Sequence, residues 1–159
     1  MLSQDVTYIP QYSPLSFPDF APKYFLQHQN LINSVKDLCF LLDSFTKMKV
    51  PSREIYKNFE KKLNHLIKDL PFESCQHLLI SAQRRYENFS LIFLSYLAMR
   101  LDKLYQMEEN FKKFNSNFAV KTINLMNLVR EKDRAVSFEA YDNLIGVIEA
   151  GNLKNNSEK

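Results

Sequence analysis

The first glycine of this chain is Gly146, and the only other is Gly151. A polypeptide with no glycine in its first 145 positions has few cheap places for positive φ, so tight two-residue hairpins are largely closed to it. Helices joined by Pro or Asn turns are the economical alternative. At 159 residues with 45% hydrophobic and 25% charged side chains, the chain has the composition of one folded domain with a tail or two. Thirteen Phe and eight Tyr without a Trp predict a bulky aromatic core.

Residues 1–22 read as an extended arm. Pro10, Pro14, Pro18 and Pro22 recur at every fourth position, which removes backbone donors and forbids regular helix. Tyr12, Phe17, Phe20 and Tyr24 stand between or just beyond them. The arm either lies against its own helices or docks into another protein, with Phe17, Phe20 and Tyr24 as anchors.

Residues 23–151 read as an all-α domain, an antiparallel helical bundle of about five helices. The first is expected from Lys23 to Thr46, with His28, Leu31, Val35, Leu38, Leu42 and Phe45 three and four apart on one face. The second starts at Pro51-Ser52, buries Tyr56, Phe59, Leu63, Leu66 and Leu70, and ends at Pro71. Its other side carries Arg53, Lys57, Lys61 and Lys68. From Ser74 to Phe114 no proline or glycine intervenes, so the window holds one long helix or two with a break near Tyr86–Asn88. Asn115 offers an N-cap to a further helix, with Phe118, Ile123, Met126 and Val129 inward. Arg130 to Arg134 is read as a charged turn. Ser137 then caps a last helix whose face is Phe138, Tyr141, Ile145 and Ile148, with Gly151 as its C-terminal stop. Residues 152–159 form a polar tail, expected to be disordered.

The stretch Ser90 to Gln106, SLIFLSYLAMRLDKLYQ, is apolar nearly all round at its start. Leu91 to Met99 is too short to span a bilayer, which needs about 20 apolar residues, and charged residues crowd both flanks. A helix apolar on every side must be covered on every side, by neighbours or by a partner. Residues 93–104, FLSYLAMRLDKL, resemble the alternation of Leu, Tyr and Arg in the central helix of GINS replication-complex subunits. The likeness covers a small part of the chain, and the rest does not follow those subunits' lengths, so it assigns no family.

Reactive constellations are scarce. With both glycines near the C-terminus there is no phosphate-cradling loop or dinucleotide fingerprint, and no H-E-x-x-H, G-x-S-x-G or C-x-x-C occurs. Cys75 and His77, with His65 or Cys39, are the only conceivable metal set; Cys-x-His on a helix points its side chains to different faces. The same geometry denies Cys75 and His77 the roles of nucleophile and base. Cys39 and Cys75, in a chain opening Met-Leu-Ser-Gln-Asp, are read as reduced core thiols of a cytoplasmic or nuclear protein.

The expected function is therefore non-catalytic: a helical adaptor or subunit of an intracellular multiprotein assembly, without cofactor, metal or membrane partner. It would hold one or more proteins, self-association included, through Phe17, Phe20 and Tyr24 of the arm and Phe138, Tyr141 and Ile145 of the last helix. The alternative is a nucleic-acid-associated factor using Arg53, Lys57, Lys61, Lys68, Arg84 and Arg85, although the net charge of +3 is mild for that role. An enzyme or regulator with a ligand cavity between helices is a third option, to be recognised by a polar-lined pocket.

Overall fold

The computed structural model describes residues 34–51 and 53–157. The arm, with Phe17, Phe20 and Tyr24, lies outside them. The described residues fold as an all-α bundle with no strand. Seven α-helices follow in order: α1 Val35–Lys47, α2 Arg53–Leu63, α3 Phe72–Gln83, α4 Leu91–Gln106, α5 Glu108–Phe111, α6 Ser116–Lys132 and α7 Tyr141–Ser157. Single 3-10 turns at Ile67–Asp69 and Tyr86–Asn88 link α2 to α3 and α3 to α4.

The boundaries have local causes. Ser34 is extended, and its hydroxyl accepts from the Asp37 N–H, so one continuous helix from Lys23 to Thr46 does not form. The chain after α1 reverses through Lys49, the one described non-glycine residue at positive φ, 56°. The Tyr56 hydroxyl fixes that turn by donating to the Val50 carbonyl at 2.8 Å. Helix α2 ends at Leu63 rather than near Leu70, and the 3-10 turn rotates the chain. As a result Ile67 is buried and Leu66 is exposed, the reverse of the helical expectation. The window from Ser74 to Phe114 breaks at Tyr86–Asn88, and again at Met107, which is extended and separates α4 from the short α5.

Two acidic side chains stitch distant segments together. Glu60 of α2 is buried, and its carboxylate accepts from both the N–H and the hydroxyl of Ser90, the N-cap of α4. A negative charge there also suits the positive end of the α4 dipole. Asp102 of α4 accepts from the Ala140 N–H at 2.8 Å and the Glu139 N–H at 3.4 Å, tying down the segment that leads into α7.

The core runs through every long helix. Leu38, Leu42 and Phe45 of α1 belong to one buried cluster with Phe59 of α2, Leu78 and Leu79 of α3, and Phe93, Leu97 and Leu101 of α4. Phe72, Phe114 and Phe118 form an aromatic cluster with ring centroids 5.0–5.3 Å apart. Asn115 caps α6 as expected, its side-chain oxygen accepting from the Phe118 N–H at 2.9 Å.

The last helix departs most from expectation. Helix α6 runs through Arg130 to Lys132, so the charged turn is confined to its end. Helix α7 starts at Tyr141, not at Ser137, with the Leu144 N–H bonded to the Ala140 carbonyl. Gly151 does not stop it. The helix continues through the expected tail to Ser157, and a Cβ at position 151 would stand 2.5 Å from Ser116 Cβ. Gly151 is a close-approach residue that lets α7 lie against the start of α6, not a left-handed cap.

Candidate docking groove

The sequence-derived docking face on the last helix is largely covered. Phe138 is a core residue, 7% exposed, and Tyr141 and Ile145 are half-buried against the core. The Tyr141 hydroxyl donates to Asn127 Oδ1 at 2.8 Å, and the Arg130 guanidinium lies 5.4 Å from its ring centroid. Tyr141 thereby fastens α7 to α6, and Phe138 and Ile145 pack against the core. All three are occupied from within.

An open apolar row lies on α4. Positions 93, 94, 97, 101 and 104 of this helix face the core, whereas Ile92, Tyr96 and Met99 on its other side are 60%, 45% and 48% exposed. Their steps of four and three place them in one row along the helix. Beside them runs α2 with its following turn, and between the two lies a groove of about 560 Å³. Lys61, Asn64, His65 and Lys68 form one wall; Ile92, Tyr96, Met99, Arg100 and Lys103 form the floor and the other wall. Lys61, Lys68, Arg100 and Lys103 bring four positive charges, and no Asp or Glu lines the groove among the described residues.

Local structure holds these charges in place. Arg100 is half-buried, and its Nε donates to the Leu70 carbonyl at 2.9 Å, which leaves the rest of its guanidinium toward other acceptors. Glu60, the nearest carboxylate on α2 in sequence, is spent on Ser90. Asn64 carries a buried side-chain oxygen with no hydrogen-bond partner. It also lines an adjoining hollow with Arg53, Lys57 and Lys61, where Glu60 and Glu87 dilute the charge.

The expected basic set thus divides. Arg53, Lys57, Lys61 and Lys68 are all exposed, the first three on the outer side of α2 and Lys68 in the 3-10 turn that follows it. Arg84 and Arg85 lie elsewhere and are engaged. Arg84 pairs with Asp43 at 2.6 Å and donates to Thr46 Oγ1 at 3.1 Å, clamping α3 to α1. Arg85 stands 3.7 Å from Glu87. Burial pushes the Asp43 carboxyl up, but hydrogen bonds and charge from Arg84 and Lys47 outweigh it and leave it below the ordinary carboxylate value.

Burial pushes the Cys39 thiol up to about 11 and the Cys75 thiol to about 12, far from the thiolate that a nucleophile requires. Among the described residues no group of three His, Cys, Asp or Glu side chains could hold a metal ion, and no helix is long and apolar enough to cross a membrane.

The α4 half of the groove was the part that sequence periodicity did not single out. The signal lay in the start of this helix, apolar nearly all round, which required cover on every side by neighbours or by a partner. Comparison of the chain with protein families, curated proteins and solved structures found no match in any of the three.

Proposed function

We propose that this chain is a non-catalytic helical adaptor, or subunit of an intracellular multiprotein assembly, that docks another protein in the groove between α2 and α4. The exposed row Ile92, Tyr96 and Met99 carries this reading. It sits on the helix whose opposite side forms the middle of the core, so it is held rigidly, and contiguous exposed apolar surface rimmed by polar groups characterises interaction sites. Tyr96 supplies the amphipathic aromatic anchor on which such interfaces commonly depend.

A photo-crosslinking residue placed at position 96, with a control at the exposed Lys132 of α6, tests the reading in cells. Protein adducts specific to position 96 are the expected result. Equal labelling from both positions would remove the groove from consideration.

The second reading, nucleic-acid association, draws on Lys61 and Lys68 in the wall of the groove and Arg53 and Lys57 in the adjoining hollow. Adducts to nucleic acid in place of protein, together with affinity that falls steeply from low to physiological salt, would favour it.

A further inference from the structure

The groove joins two properties that separate ligands would not both need: an apolar floor and a cationic rim. A purely apolar helix would leave Lys61, Lys68, Arg100 and Lys103 without counter-charge as it displaced their water, which carries a desolvation cost. A purely polyanionic strand would leave Ile92 and Met99 uncovered. Single-stranded nucleic acid gains its contacts by stacking bases on aromatic faces, and among the described residues Tyr96 is the one Phe, Tyr or Trp ring lining this groove, beside the smaller imidazole of His65. Ile92 and Met99 are aliphatic, and the thioether of Met99 adapts to varied apolar shapes.

We infer that the groove receives an acidic amphipathic helix of a partner protein, with apolar residues three and four apart flanked by Asp or Glu. The inference rests on the docking reading above and specifies its occupant. A helix is favoured over an extended peptide because α4 forms the floor and the described residues contain no strand edge to extend. The floor from Ile92 to Lys103 spans about 16 Å at 1.5 Å per residue, so three turns of a partner would fill it. The partner's apolar side chains would interdigitate with the row at positions 92, 96 and 99, as ridges do in grooves. Its carboxylates would meet Lys61 and Lys68 on one side and Arg100 and Lys103 on the other.

Selection from a displayed library of amphipathic helices tests this on the full chain. The library keeps an apolar stripe and randomises the flanking positions equally among acidic, basic and neutral residues. Enrichment of Asp and Glu beside the stripe is expected. Binding of the selected helices should be lost on Tyr96→Ala, and should weaken about tenfold on Lys61→Glu or Lys103→Glu, within the range seen for close charge pairs at interfaces. A reversed helix carrying Lys at those flanks should bind the Lys61→Glu, Lys103→Glu double variant.

Neutral or basic helices enriched through Tyr96 would overturn the acidic occupant while leaving the docking groove intact. If no enriched helix depends on Tyr96, both readings fall. A single-stranded oligonucleotide that holds the groove more tightly than every selected helix overturns the inference. So does helix binding that appears only after deletion of residues 1–22, which would make the chain's own arm the occupant.

Discussion

Two apolar helix faces met different fates in this molecule. The inner side of α7, with Tyr141, Ile145 and Ile148, is packed along α6 and partly buried. The outer side of α4, with Ile92, Tyr96 and Met99, has no such cover among the described residues. Both have helical spacing and similar residue types. What separates them is the neighbour: Gly151 and Ser116 allow α7 to approach α6 closely, while α2 stands far enough from the outer row of α4 to leave a groove. An apolar face is thus a demand for cover, and the tertiary arrangement decides where the demand goes unmet.

The contrast can be tested within α4 itself. Phe93→Ala, on the buried side, should cost about 3–5 kcal/mol through lost transfer energy and a cavity, read as a large fall in the urea midpoint. A small shift at Phe93 would mean that α4 is not the central helix.

Next in size is the α6–α7 contact. Gly151→Ala forces a Cβ to within 2.5 Å of Ser116 Cβ, backbone-anchored atoms that cannot swing away. Overpacking of this kind should cost about 1–3 kcal/mol. At Gly146 a Cβ meets nothing within 4 Å, so Gly146→Ala should instead stabilise by about 0.5–1 kcal/mol, the difference in helix propensity. Thermal melts of the two variants moving in the same direction would break the argument for close approach at Gly151 alone.

The α1–α3 clamp provides a pH test. Asp43 is depressed in the folded chain, so it contributes stability above the ordinary carboxylate value, and that contribution is lost as pH falls through its lower folded value. Wild type should therefore lose stability on acidification more than Asp43→Asn does, read as a steeper fall of its urea midpoint below the ordinary carboxylate value. Parallel pH profiles would show that the Arg84 contact contributes nothing.

The smallest expected effect falls on the open face. Tyr96→Ala should change stability by about 0.5 kcal/mol or less, as surface substitutions do, while abolishing docking. A destabilisation as large as that of Phe93→Ala would place Tyr96 in the core and close the groove.

Much of the fold was legible. Asn115 caps α6 through its own side chain, and the buried sets Leu38–Leu42–Phe45 and Tyr56–Phe59–Leu63 follow from spacing alone. Such signals are local, settled within one or two turns. The exchange of Leu66 for Ile67, the break at Met107 and the passage of α7 through Gly151 depend on groups distant in sequence, which periodicity does not see. Of the groove, the α2 cations were legible as a solvated stripe, but their company with Ile92, Tyr96 and Met99 was not.

By itself the sequence determined that this chain is helical, because it lacks the glycines for tight turns and repeats its apolar residues at three and four. Only the tertiary structure decided which apolar surface is left over and which charges surround it. The reason is physical: burial is a property of pairs of faces, and a face acquires its partner only when the helices pack.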